Sequence, residues 1–191
     1  MPGAHLGWRS RGYTPHFDGP GELQHIVFRL ADSLPVKVVA ELRNTSAEHR
    51  LEAAEAELDA GTGARTLADP RIANLVNGAL RHFDGRRYEL VAWCVMPTHV
   101  HVLALQVEGW PLSGVVHSWK SFTAHAANAL LGRSGPFWAR DYFDRGMRSE
   151  RQAEYAAAYI EANPVAAHLC ALPEDWPWSS AACRRDAGAP G

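Results

Sequence analysis

Two neighbouring stretches rich in apolar and β-branched residues constrain the fold of this 191-residue chain more than any other feature. The first covers Tyr88–Val95, and the second follows at His99–Val107 after only three residues. Two strands joined by so short a link form an antiparallel hairpin, because a parallel pair needs a crossover of about a dozen residues or more. The chain is therefore expected to contain an antiparallel sheet.

The order of the remaining elements predicts the rest of the fold. Apolar and polar residues alternate over Gln24–Leu30, which indicates a further strand, and a short extended piece is expected at Tyr142–Met147. Start and stop signals place helices from residues 32–35 onward and at about 46–59, 70–83, 112–130 and 150–162, the last terminated by Asn163-Pro164. This pattern predicts an α+β fold, in which helices pack on an antiparallel sheet in a ferredoxin-like way.

The length of the chain predicts one folded domain, which we place at residues 23–182. Residues 1–22 are rich in Gly, Pro, His and Arg without a period, which indicates an irregular N-terminal arm. Residues 183–191 are expected to form a disordered tail. No internal repeat indicates a second domain.

The charge of the chain argues against a protein that holds nucleic acid by bulk positive charge, because 19 Lys and Arg stand against 21 Asp and Glu. Residues 31–75 carry eight acidic and five basic residues, whereas residues 113–151 carry six basic and three acidic residues. The acidic run from Glu48 to Glu57 is interpreted as a solvated helix face, away from any site. No stretch reaches the roughly 18 apolar residues of a membrane-spanning helix, so no membrane partner is expected.

His99 and His101 lie two residues apart at the start of a predicted strand. Because side chains alternate across a strand, both imidazoles project from the same face of the sheet. Such a pair can hold one divalent metal through its ring nitrogens and leave other coordination positions open. The alternative is two solvent-facing or hydrogen-bonded histidines.

Tyr155, Tyr159 and Asn163 are spaced four apart on a predicted helix, so they form one stripe. A tyrosine hydroxyl can attack a phosphorus whose oxygens are polarised by a metal, and the Asn163 amide oxygen could serve as a third ligand. The alternative is that both tyrosines pack or face water and that Asn163 caps the helix before the proline.

Several strings of the sequence together resemble one known family. Val95–Leu103 resembles the histidine-hydrophobic-histidine motif of the single-tyrosine transposases of the HUH endonuclease superfamily. Tyr159–Val165 and Pro173–Ser180 are similar to the C-terminal signature of the branch called REP-associated tyrosine transposases. Further matches to that branch are Arg11–Tyr13, Pro15–Asp18, His82–Gly85, Ser118–Phe122 and Phe137–Trp138.

The resemblance implies a metal-dependent single-stranded DNA endonuclease and strand transferase that cuts and rejoins DNA near hairpin-forming repeats. By motif position, His99, His101 and Asn163 would bind Mg²⁺ or Mn²⁺, and Tyr159, on a C-terminal helix, would attack the scissile phosphate. The attack would leave a 5′-phosphotyrosine bond and a free 3′-hydroxyl. Because that bond conserves the energy of the broken one, no nucleotide cofactor is needed.

The resemblance also implies the bacterial cytoplasm and association with the nucleoid, in agreement with three cysteines that form no CxxC pair. Both a monomer and a dimer are open. Two other functions are considered: a catalytically silent hairpin-binding module or repressor, and a rolling-circle-type HUH initiator. The chain is too short to carry the helicase domain of such an initiator as well.

Two details of the sequence bear on the implied site. Some HUH enzymes use two tyrosines separated by three residues, which is the spacing of Tyr155 and Tyr159, but Tyr159 matches the family string and Tyr155 is expected to pack or to contact DNA. Thr98 stands where the family more often has Asn, and His168 where a glycine is usual. His168 is therefore expected to adopt a positive φ.

Arginines interspersed with aromatic residues are typical of proteins that bind single strands, because arginine binds phosphates and aromatic faces stack on bases. We expect such contacts from residues 113–151 and from the N-terminal arm. The candidate residues are Arg9, Arg11, Lys120, Arg140, Arg145 and Arg148. The alternative is an ordinary exposed helix and loop with buried aromatic side chains.

Overall fold

The structure, a computed structural model, describes residues 7–10, 15–59 and 63–188. The strands are β1 (Gly7–Ser10), β2 (Pro15–Asp18), β3 (Leu23–Arg29), β4 (Tyr88–Val95), β5 (His99–Gln106) and β6 (Phe143–Gly146). The helices are α1 (Val36–Asn44), α2 (Ala47–Asp59), α3 (Pro70–Arg81), α4 (Leu112–Leu130), α5 (Glu150–Ala166) and α6 (Ser180–Gly188).

The central sheet has four strands in the order β4-β5-β3-β6, and each neighbouring pair is antiparallel. β4 and β5 form the hairpin that the sequence predicted, with Cys94 opposite His101. Helices connect β3 to β4 and β5 to β6, which gives the β-α-β-β-α-β arrangement of ferredoxin-like folds. The predicted α+β class, with helices packed on an antiparallel sheet, is confirmed.

The alternation of residues along β3 and β5 gives the sheet two buried faces. On one face, Ile26, Phe28 and Val100 pack with apolar side chains of α3 and α4. On the other face, Val27 packs with α1 and α2, and Leu103 packs with α5. α2 and α5 thus cover different parts of the second face, with a cleft between them.

The predicted irregular arm at residues 1–22 is wrong for eight of its residues, because Gly7–Ser10 and Pro15–Asp18 pair as the antiparallel strands β1 and β2. Each strand has only four residues, too few to show an alternation along the sequence. The Leu112 amide at the start of α4 donates to Asp18 Oδ1 at 3.1 Å, which ties this ribbon to the domain. Residues 1–6 and 11–14 lie outside the described residues.

The prediction that Asn163-Pro164 ends the preceding helix is wrong, because α5 continues to Ala166. Pro164 removes one intrahelical hydrogen bond, but the residues after it still bond to the last turn, since the Ala167 amide donates to the Asn163 carbonyl at 2.9 Å. His168, two residues after the end of α5, has a φ of 55°. The positive φ predicted for this residue is confirmed.

The predicted disordered tail is wrong for residues 183–188, which belong to α6; residues 189–191 lie outside the described residues. Tertiary contacts stabilise this helix, since Glu161 of α5 accepts hydrogen bonds from Ser180 and Arg184 of α6.

Within the part of the chain that the structure describes, no helix is both long and apolar enough to cross a membrane.

Candidate active site

His99 and His101 of β5 lie on the same face of the sheet, as the strand period predicted, and both are buried. Their Nε2 atoms are 2.7 Å apart. Two ring nitrogens at this distance can either share a proton or turn both lone pairs toward one cation. The neighbours of the opposite ring nitrogens decide which state is available.

Thr98 contacts the far nitrogen of His99. Its Oγ1 lies 2.7 Å from His99 Nδ1 and donates to the Leu58 carbonyl at 3.3 Å. Because the hydroxyl hydrogen is used on that carbonyl, the hydroxyl accepts from Nδ1–H. His99 then keeps a free lone pair on Nε2, the atom that faces His101.

His101 is oriented by residues of β3 and α2. Its Nδ1 lies 3.2 Å from His25 Nε2 and 3.5 Å from Glu55 Oε1. A proton on Nδ1 is therefore the arrangement that these two acceptors favour, and it leaves Nε2 free as in His99. His25 lies on a strand that the sequence predicts, but no pattern in the sequence marks it as a site residue, because strand order cannot be derived from periodicity.

Helix α2 brings two carboxylates to the histidines. Glu55 and Asp59 are four residues apart, so they lie on one helix face, and Asp59 Oδ1 is 3.5 Å from His99 Nε2. Glu55 is only 8% exposed. The interpretation of the acidic run as a solvated face away from the site is therefore wrong for Glu55. Leu51 and Leu58, which flank it at helical spacing, were the signal that this face is buried.

Helix α5 supplies Asn163 and Tyr159 from the opposite side. Asn163 Nδ2 lies 3.3 Å from His101 Nε2, and rotation of the amide would present Oδ1 there instead. The Tyr159 ring centre is 5.9 Å from that of His101, and the Tyr159 hydroxyl is hydrogen-bonded to Asp59 and Asn163. Tyr155, one turn earlier, is 75% exposed at the outer part of the cleft.

Burial controls the protonation of this cluster. It lowers the pKa of His25 to about 4 and of His99 to about 3, and it holds the pKa of His101 well below its ordinary value. The three imidazoles are therefore neutral at pH 7, as metal ligands must be. Burial raises the pKa of Glu55 to about 8 and that of Asp59 to about 6. Burial, followed by the charges of these two carboxylates, raises the pKa of Tyr159.

The donor set fits a divalent cation. Two overlapping groups have ligand atoms within 4.8 Å of one another: His25, Glu55 and His101, and Asp59, His99 and His101. Among the described residues the buried Glu55 Oε1 has only long contacts, at 3.5 Å to His101 Nδ1 and 3.6 Å to His25 Nε2, and no well-formed hydrogen bond. A buried oxygen of this kind is stabilised by a cation. Mixed imidazole, carboxylate and amide ligands suit a transition ion such as Mn²⁺ better than Mg²⁺, which prefers oxygen.

The predicted DNA-contacting residues lie in different places. Arg145 of β6 lines the cleft and pairs with Glu52 at 3.1 Å, and Arg148 is exposed in the turn before α5. Lys120 donates to the Arg140 carbonyl at 2.9 Å, and neither residue lines the cleft. Arg9 belongs to β1, and Arg11 lies outside the described residues.

One family model matches the chain. A family model described as "Transposase IS200 like" matches residues 68–163, just over half of the chain, and this range contains His99, His101, Tyr159 and Asn163. No curated protein sequence matches the chain.

Two solved structures are similar to this chain, and the first of them shares its fold. A structure described as a REP-associated tyrosine transposase bound to a REP hairpin has a TM-score of 0.63 and 17% sequence identity, over 92% of this chain and 86% of that chain. A candidate transposase from Deinococcus radiodurans R1 has a TM-score of 0.43 and 19% identity, over 81% of this chain and 96% of that chain.

Proposed function

The chain belongs to the family of IS200-like transposases, and on that premise we propose that it cuts and rejoins single-stranded DNA beside hairpin-forming repeats, with a divalent metal as cofactor. The observation that carries this proposal is the meeting of a tyrosine hydroxyl, two buried neutral histidines and two carboxylates in one cluster, of which Tyr159, Glu55 and Asp59 line the cleft. A silent hairpin-binding module has no need of such a cluster.

Tyr159 is the proposed nucleophile, because its hydroxyl belongs to the cluster whereas Tyr155 is exposed at the outer part of the cleft. Its Oη would form a bond to the scissile phosphorus while the bond from phosphorus to O3′ breaks. The products are a 5′-phosphotyrosine and a strand with a free 3′-hydroxyl, which takes its proton from water. Attack of a 3′-hydroxyl on the same linkage reverses the step and rejoins strands.

Asp59 is placed to take the proton of Tyr159, since the two side chains share a hydrogen bond. The pKa of Asp59, raised to about 6, leaves the carboxylate ionised above neutral pH and still close to the range in which a general base works well. Asn163 also makes a hydrogen bond with this hydroxyl.

His99, His101 and Asn163 would hold the metal, with Asp59 and Glu55 as further carboxylates within reach. A bound divalent cation would offset the charge that develops on the phosphate oxygens. Thr98, His25 and Glu55 would keep both Nε2 atoms available, as described above. The proposed location is the bacterial cytoplasm, in association with the nucleoid. Both a monomer and a dimer are compatible with this function.

The test is the covalent intermediate itself. DNA hairpins with single-stranded tails of random sequence are incubated with the protein and Mn²⁺, and a denaturant-resistant conjugate is sought by gel electrophoresis. We expect the conjugate with the unaltered protein and with Tyr155→Phe, and its loss with Tyr159→Phe or with chelator. No conjugate under any metal condition would favour the silent binding module instead, and a conjugate that survives Tyr159→Phe but not Tyr155→Phe would exchange the two tyrosines.

A further inference from the structure

The cleft between α2 and α5 leads from the surface to Tyr159. It has a volume of about 790 Å³, within the roughly 300–1,000 Å³ of sites that enclose small ligands. Such a space accommodates an unpaired nucleotide or two, whereas the bases of a duplex stay inside their stack. The occupant is thus a flexible single strand rather than a double helix.

The two walls of the cleft have opposite charge. Helix α2 lines one wall with Glu52, Glu55 and Asp59. β6 and the start of α5 line the other wall with Arg145 and Arg151. At neutral pH the ionised Asp59 repels phosphates, whereas Arg151 and Arg145 attract them, and Arg145 also pairs with Glu52 across the cleft. A strand in the cleft therefore has one favourable orientation, with its backbone along β6 and α5 and its bases toward α2.

Tyr155 is placed to contact those bases. It lines the cleft one helical turn before Tyr159, and 75% of its side chain is exposed. An aromatic ring in this position provides a flat face of the kind on which unpaired bases stack in single-strand binding proteins. Met147 and Leu51 add apolar surface to the same cleft.

We propose that this cleft binds the unpaired nucleotides next to the scissile phosphate, with a base stacked on Tyr155 and the phosphates held by Arg151 and Arg145. Tyr155 is thus a substrate-binding residue rather than a second nucleophile. The proposal rests on the proposed function only in that the strand bound here is the one Tyr159 cuts.

The stacking is tested by the affinity of Tyr155 variants for DNA. The probe is a fluorescein-labelled hairpin with a single-stranded tail of random sequence, bound by the full chain in chelator and followed by anisotropy. We expect Tyr155→Ala to raise Kd about tenfold and Tyr155→Phe to bind like the unaltered protein. The control is Leu172→Ala, an exposed apolar residue outside the cleft and outside residues 113–151, which should leave Kd unchanged.

The proposal is overturned if Tyr155→Ala binds as tightly as the unaltered protein, if Tyr155→Phe is as weak as Tyr155→Ala, or if Leu172→Ala weakens binding equally. Because cleavage is not required in chelator, these outcomes are independent of the conjugate assay. If the conjugate forms but Tyr155→Ala binds DNA with unchanged affinity, the proposed function stands. Only the proposed stacking on Tyr155 is then disproved.

The contact of Arg151 with DNA phosphates is tested by the salt dependence of binding. Arg151→Gln should reduce the slope of log Kd against log salt concentration by about one, the signature of one lost phosphate contact. Arg71→Gln, an exposed arginine of α3 outside the cleft, is the matched control and should leave the slope unchanged. Equal slopes for the two variants would contradict the assigned orientation of the strand.

Discussion

His99 and His101 can each present Nε2 to a cation only while the proton stays on Nδ1. Thr98 secures this for His99 at 2.7 Å, and His25 with Glu55 secures it for His101. Thr98 is also a position at which the sequence departs from the family pattern. The contact shows that a hydroxyl can make the hydrogen bond to Nδ1 that the buried ring requires.

Thr98→Val should weaken Mn²⁺ binding by about ten- to a hundredfold, the usual effect of removing a group that orients a metal-ligating histidine. Thr98→Ser keeps the hydroxyl and should retain most of the affinity. Isothermal titration with Mn²⁺ measures both variants. Equal affinity of the valine and serine variants would mean that Thr98 does not set the tautomer of His99.

Glu55 gives the stability of the metal-free protein a dependence on pH. Its pKa is about 8 in the folded chain against an ordinary value of 4.5. As pH rises through this window the unfolded chain loses the proton first, so the free energy of unfolding falls between about pH 4.5 and 8. Glu55→Gln removes this ionisation. Its free energy of unfolding relative to the unaltered protein should therefore increase from pH 5 to pH 8, as urea denaturation in chelator would measure; a constant difference would contradict it.

Among the elements, the helix of Tyr159 and the edge strand β4 both depend on the C-terminal part of the chain. Val95 of β4 donates its amide to the Trp178 carbonyl at 2.9 Å, and Trp93 donates to Ser180 Oγ at 3.1 Å. These bonds satisfy the free edge of the sheet, which would otherwise be open to pairing with another chain. Pro173–Ser180, which matches the family signature, thus contributes to the structure of this chain.

The end of α5 is closed by a left-handed residue that is not glycine. The Leu169 amide donates to the Pro164 carbonyl at 2.8 Å and the His168 amide to the Val165 carbonyl at 3.0 Å, the two bonds of a Schellman motif. His168→Gly should therefore stabilise the protein by about 1 kcal/mol, a rise in Tm of about 2–4 °C for a domain of this size.

Thermal denaturation tests this prediction. The control is Ala167→Gly one residue earlier, where φ is −82° and glycine offers no relief. That variant should be neutral or less stable, because glycine loses more conformational entropy on folding. A lower Tm for His168→Gly would show that the histidine side chain contributes more than its backbone strain costs.

At the scale of the whole molecule, the sheet separates stability from chemistry. Its α3 and α4 face carries the larger apolar cluster, while the other face carries the histidines and the cleft. The net charge of −2 is an average over separated groups, because the acidic residues of α2 and the arginines of β6 and α5 lie on opposite walls of one cleft. Near-neutrality of the chain therefore does not exclude a nucleic-acid site.

The near-neutral net charge of the chain predicts weak binding to duplex DNA. Without bulk positive charge, a blunt duplex should be held only with the Kd of about 10⁻⁴–10⁻⁶ M of non-specific binding at physiological salt. A hairpin of the same stem with a single-stranded tail should bind more tightly, since only the tail can enter the cleft. Anisotropy titrations of the two probes compare them directly, and equal affinities would contradict this reading of the charge.

Local patterns in the sequence predicted much of the site. The period of two placed His99 and His101 on one face, and the spacing of four placed Tyr159 and Asn163 on one helix stripe. The link between β4 and β5 was short enough to require an antiparallel pair. Each of these inferences concerns residues close in the chain, where backbone geometry alone relates side-chain positions.

Tertiary packing decided what those patterns could not. His25 is 76 residues from His101, and Thr98 is 40 residues from Leu58, yet both pairs are in contact. Glu55 looked like one charge of a solvated run because its burial depends on which face of the sheet α2 covers. The short ribbon of β1 and β2 and the helix α6 are stabilised by distant partners as well. The sequence thus determined the fold class and two parts of the site, the histidine pair on β5 and the Tyr159 and Asn163 stripe on α5. Only packing on the second face of the sheet brought these parts together, because periodicity carries no information about which helix lies over which strand.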